Sequence, residues 1–197
     1  MRGERLAVRF AAAATVLSLI VVAGDVTAQE PSNAHLPPKP QPRELRHEGV
    51  VIKITSLLIE PVAGFLIGRG FTTPVAQRYA ASCVIRVVIS NESAPSNIGY
   101  DLRAWRARRA DGALVALHTR EDWMTQWRAA ALPAASLIGF EWSQLPTQQV
   151  LDIGDSTNGM VNTGLPPASR FDLLFEWMAE GKTYRIDMKG IDCAPPS

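Results

Sequence analysis

Histidine is nearly missing from this chain. Three of 197 residues, His35, His47 and His118, give no paired metal-ligand spacing and few candidates for a general base. Cysteine is rarer still. Cys83 and Cys193 are the only two, too few for a disulfide-built miniprotein, and they form no C-x-x-C redox motif. A surplus of one charge is also lacking: 20 Lys and Arg stand against 19 Asp and Glu. That balance removes the broad attraction to phosphate that nucleic-acid binding needs, so no nucleic-acid partner is expected. Neither a P-loop nor a dinucleotide glycine fingerprint occurs, and no β-α-β rhythm is visible, so no cofactor is expected. Apolar residues, in contrast, make up 47% of the chain, too many for intrinsic disorder. The length fits one domain, or one domain with a tail.

Arg2, Arg5 and Arg9 precede an unbroken apolar stretch, FAAAATVLSLIVVA, at Phe10–Ala23, and small residues then lead to Ala28. A basic start, an apolar run of about 7–15 residues and a V-x-A ending form a secretory signal, with cleavage expected after Ala28. The stretch is shorter than the about 20 residues of a membrane span, so no span is expected after cleavage; the alternative is retention as an N-terminal anchor. The expected location is periplasmic or extracellular. Without residues 1–28 the chain keeps 17 basic and 17 acidic side chains, so net charge does not steer its encounters. An oxidising compartment makes Cys83–Cys193 an expected intrachain disulfide.

Residues 29–48 carry five prolines and little apolar content, which reads as an extended linker. From Gly49 the pattern changes to short strands separated by turns, and residues 49–197 are expected to form the folded domain. Val50–Glu60 is rich in Val, Ile and Leu. Cys83, Ile85, Val87 and Ile89 alternate with Ser82, Val84, Arg86 and Ser90. Ile98, Tyr100 and Leu102 alternate with polar residues, and Asp111-Gly112 marks a hairpin turn before Ala113–His118. Phe171, Leu173, Phe175 and Trp177 lead into Ala179-Glu180-Gly181, after which Tyr184, Ile186 and Met188 alternate again. Only one stretch reads as a helix: Thr119 caps Arg120–Arg128, Glu121 and Asp122 favour its first turn, and Pro133 ends the pattern. Many short strands with a single helix predict an all-β, two-sheet antiparallel sandwich.

Several clusters invite a chemical reading. Gly154-Asp155-Ser156 resembles the nucleophile motif of secreted ester hydrolases, but no histidine follows it, so a turn is expected and a Ser156 hydrolase is the alternative. Gly64, Gly68 and Gly70 are spaced as G-x-x-x-G-x-G, which reads as a connection between strands. Arg103, Trp105, Arg106, Arg108 and Arg109 form a basic cluster with one aromatic. It reads either as an anion-contact surface or as a solvated strand face with a cation–π contact at Trp105. Trp123, Met124, Trp127 and Trp142 concentrate in residues 119–145, where they serve either the core or an interaction surface. Asn91-Glu92-Ser93 matches the glycosylation sequon.

Residues from about 80 to 191 resemble the telokin-like, immunoglobulin-fold domains of bacterial exported proteins. The resemblance rests on the apolar strand ending in Asn-x-Ser (Val84–Ser93), the strand closed by Asp111-Gly112, and the run Ile153–Val161. That run is similar to the family's Pro-Gly-Glu-Ser-x-x-Gly-x-Val, with Pro166 and a terminal hairpin following. The chain departs from the family in lacking the Pro before Gly154 and in inserting 119–145. The resemblance implies an immunoglobulin-like sandwich, makes Gly154 a tight turn before a strand, and supplies no shared catalytic residues. A weaker similarity, through Tyr100-Asp101-Leu102 and Asp111-Gly112, is to proteinase inhibitors of the same sandwich type. The resulting expectation is a non-enzymatic exported binding domain with a protein partner at the cell envelope. Ester hydrolysis and proteinase inhibition are the alternatives. The candidate contact residues are Arg103, Trp105, Arg106, Trp123, Met124, Trp127 and Trp142.

Overall fold

A computed structural model of the chain describes residues 41–196. The expected signal peptide, its cleavage site and His35 lie outside the described residues.

Two antiparallel sheets face each other as a β-sandwich. The first has the order β1 (Arg43–His47), β2 (Val50–Ser56), β3 (Val84–Asn91) and β8 (Ser156–Asn162). The second is organised around β9 (Arg170–Ala179). One edge of β9 pairs with β5 (Arg106–Arg109) and β4 (Ile98–Asp101) end to end, and the other edge pairs with β10 (Lys182–Asp192). β6 (Leu114–Ala116) and β7 (Gln148–Leu151) complete the sheet beyond β5 and β4.

The alternating residues fill the space between the sheets. Ile52, Ile54, Ile85, Val87 and Ile89 meet Ala107, Phe171, Leu173, Phe175 and Trp177 in one buried cluster. The hairpin of β9 and β10 closes through Glu180 and Gly181, both at positive φ (51° and 71°), the two-residue turn whose twist suits paired strands. Cys83 and Cys193 form the expected disulfide, which ties the start of β3 in one sheet to the end of β10 in the other.

The expectation of one short helix is corrected. Four α-helices are present among the described residues: α1 (Ile59–Ile67), α2 (Thr73–Ala80), α3 (Arg120–Ala129) and α4 (Ala134–Glu141). α3 is the helix that the sequence signals, and Thr119 with Asp122 forms a reciprocal capping box. α1 is apolar on nearly every side, so it shows no period of 3.6. Its Pro61 sits in the first turn, where no backbone donor is needed, and Gly64 is tolerated in its interior. Pro133, which ends the α3 pattern, also serves as the N-cap residue of α4. A second difference lies at Arg43–His47, which read as the end of the proline-rich linker but forms edge strand β1. Its alternation is hidden because only Leu45 and His47 are half-buried.

The helices form a layer on the outer side of the first sheet. There Tyr79, Trp123, Trp127 and Phe140 pack edge and face among Val62, Leu66, Phe71 and Met124, with Val84 reaching up from β3. β3 therefore buries both of its faces near Val84, which explains why Val84 is apolar on the side expected to be wet.

Candidate functional site

The helix layer covers only part of the sheet beneath it, and a wedge opens where it ends. On the sheet side, the pairing registers set Thr55, Arg86 and Met160 abreast on β2, β3 and β8. On the helix side, the C-terminal turns of α1 and α4 bring Phe65, Arg69, Gly139 and Trp142 to the same opening. The open cleft measures about 580 Å³.

Each wall is built by local necessity. Gly159 has no room for a side chain, because a Cβ there would lie 2.1 Å from the Leu145 nitrogen. That close crossing lets Met160 donate to the Ser143 carbonyl at 2.9 Å and accept from Leu145 at 3.0 Å, which fixes the segment after α4 against the β8 edge. The backbone of Trp142 is held by its bond to Ile138 O at 3.1 Å, while its ring stands out in solvent with 85% exposure. Among five tryptophans it is the exposed one; the other four are buried.

Arg69 follows the end of α1, where a cation complements the helix dipole. Its stem passes over Gly139, where an added Cβ would approach to 3.2 Å, and its guanidinium lies 3.4 Å above the Phe65 ring centroid. Nη1 of Arg69 donates to Phe65 O at 3.1 Å. Arg86 donates from Nη2 to Asn158 Oδ1 at 3.1 Å. No carboxylate lines the cleft, and among the described residues neither arginine forms an ion pair.

Two hollows adjoin the cleft. An apolar trough of about 340 Å³ continues from it through Leu57, Phe65 and Met160 toward Leu58, Pro61 and Val62. Beyond Trp142 a second hollow is charge-balanced, with Arg120 3.9 Å from Glu141.

The residues expected to form a contact surface do not share one. Trp123, Met124 and Trp127 are buried in the helix layer, and Trp123 and Trp127 stack at 5.0 Å. Trp105 is buried in the sandwich, where Nε1 donates to Glu176 O at 2.8 Å and the ring meets Phe175 edge-on. The expected cation–π contact at Trp105 is thus replaced by aromatic packing. Arg103 is exposed 3.6 Å from Asp101, and Arg106 is half-buried, donating to the Arg103 and Trp105 carbonyls. Of the aromatic candidates, Trp142 alone reaches solvent. Arg69 and Arg86 carry no sequence signal, because only the strand register and the end of α1 bring them to one opening.

Gly154-Asp155-Ser156 is a turn followed by a strand. Gly154 has φ 93°, Asp155 N bonds Asp152 O, and Ser156 opens β8 in solvent. His118 bridges to Asn162 at the opposite end of β8, about 20 Å away at roughly 3.3 Å per residue. His47 packs against Trp177 and Tyr184. Gly64, Gly68 and Gly70 belong to α1 and its end, not to a strand connection. The sequon asparagine is fully buried: Nδ2 of Asn91 donates to Ser96 O and Leu151 O, and its Oδ1 accepts from Ala94 N. A glycan has no access to that nitrogen in the folded domain.

No family model matches the chain, and no curated protein matches it. A crystal structure of a DUF4426 family protein from Pseudomonas aeruginosa PAO1 aligns with 79% of this chain and 97% of its own. It does so at 10% identity and a TM-score of 0.39. No helix among the described residues is long and apolar enough to cross a membrane.

Proposed function

We propose that this chain is an exported, non-enzymatic binding domain of the immunoglobulin-like sandwich type, engaging its partner at the cell envelope through the cleft beside Trp142. The observation that carries this reading is the exposed Trp142 ring, at 85%, standing between two hollows. An exposed tryptophan on a fixed backbone, bordering two hollows, is the arrangement that binding hot spots use. Support for a role without bond-breaking comes from Ser156, which opens β8 a strand length away from His118. Support for export comes from the N-terminal signal pattern and from the disulfide, which belongs to an oxidising compartment.

The test is affinity capture from the native envelope with the protein and its Trp142→Ala variant as baits. A specific partner recovered by the first and lost by the second, at equal melting temperature, is the expected result. Equal recovery by both baits would remove Trp142 from the reading.

A further inference from the structure

Resting on that reading of the Trp142 cleft, we propose that its ligand is a single-chain amphiphile with a carboxylate head: a long-chain fatty acid, or an acyl chain ending in a carboxylate. Three features select this chemistry. Arg69 and Arg86 face one opening that contains no acidic side chain, so the cleft favours an anion by charge complementarity. Arg69 is held in place beforehand by Gly139 and the Phe65 ring, so little side-chain entropy is lost when it grips an anion. The C-terminal turns of α1 and α4 both line the opening. Their partial negative charge opposes any anion, and opposes a singly charged carboxylate less than a doubly charged phosphate ester, so it decides between the two heads.

The tail is specified by the adjoining trough. Thr55 and Ser56 border the trough, but its exposed surface is almost wholly apolar and comes from Leu57, Leu58, Pro61, Val62, Phe65 and Met160. An alkyl chain matches that apolar surface and brings no polar group to satisfy. The trough and the cleft share Leu57, Phe65 and Met160, so head and tail sites are continuous.

The experiment titrates the purified protein with dodecanoate, dodecanol, dodecyl phosphate and hexanoate below their micelle concentrations, read by tryptophan emission and calorimetry. Dodecanoate should bind one to one and change an emission signal that disappears in Trp142→Phe. Dodecanol and dodecyl phosphate should each bind at least tenfold more weakly. Hexanoate should lose about tenfold for every two methylenes removed. Arg69→Gln and Arg86→Gln should each weaken dodecanoate about tenfold, with Arg128→Gln, on the far helix, unchanged. Leu58→Asp is the variant that guards against misfolding: aspartate is a favourable N-cap for α1, yet its charge in the trough should repel the tail and weaken dodecanoate at least tenfold. Equal binding of dodecanol and dodecanoate, tighter binding of dodecyl phosphate, or no saturable binding would overturn the proposal. If dodecanoate fails to bind while Trp142→Ala still loses its envelope partner, the ligand class is wrong and the binding reading stands; failure of both overturns both.

Discussion

Replacing Cys83 and Cys193 together by alanine should remove about a third or more of the stability of this fold. The crosslink spans 110 residues of sequence. For a closed loop of that size the chain-entropy relation gives about 5 kcal/mol at 25 °C, against a total of about 5–15 kcal/mol for a typical domain. The geometry makes the full effect available, because the bond joins the two sheets rather than neighbouring strands, and both residues are buried. The Cys83 backbone is also fixed independently, with N donating to Leu165 O at 2.8 Å and O accepting from Thr163 N at 3.0 Å. Alanine at both positions therefore leaves the local strand geometry in place and isolates the loss of the crosslink. At about 2–4 °C per kcal/mol for a chain of this size, the melting temperature should fall by roughly 10–20 °C, with a lower urea midpoint and a steeper slope, because the unfolded chain without the crosslink exposes more surface. A fall of less than about 3 °C would show that the crosslink does not constrain the unfolded chain as this reasoning requires.

Asn91→Ala should cost about 3 kcal/mol, because two carbonyls and one N–H lose their partner inside the fold; urea midpoints measure it. Gly159→Ala should cost about 1–3 kcal/mol through its clash with the Leu145 backbone, and hydrogen exchange at the Met160 N–H should accelerate. Acid should weaken the second sheet. The backbone N–H of Gly190, with Lys189 and Arg108, holds the Asp172 carboxyl below its usual range, and the hydrogen bonds from Lys189 and Arg108 do the same for Asp187. Groups lowered in the fold contribute stability above their unfolded pKa near 4 and lose it as pH falls through the lower folded value. Asp187→Asn should therefore lower the urea midpoint at pH 7 and narrow the difference between pH 7 and pH 3.

Much of the sandwich is legible in the sequence because a half-buried strand writes its pleat as alternation. β3, β9 and β10 each do so, and Glu180-Gly181 supplies the turn that fixes their register. α3 is legible for a different reason: Thr119 and Asp122 cap it visibly. The remaining helices are not, because α1 is apolar on nearly every side, although only Val62, Ala63 and Leu66 are buried, and α4 begins at the proline that ends the α3 pattern. The same limit governs the site. Nothing local distinguishes Trp142 from Trp123 and Trp127, since burial depends on whether a residue falls inside α3 or caps the end of α4. Arg86 sits on the polar side of an alternating strand, where a solvated role is the ordinary expectation. Only the partial cover of the sheet by the helix layer places it opposite Arg69.

Photo-crosslinking in the native envelope tests the central claim most directly. A benzophenone side chain at position 142 should give a single specific adduct that Arg86→Gln weakens several-fold and Arg128→Gln preserves, while the same probe at exposed Leu114, on an edge of the second sheet, gives none. Adducts from position 114 with none from position 142 would contradict the assignment of binding to this cleft.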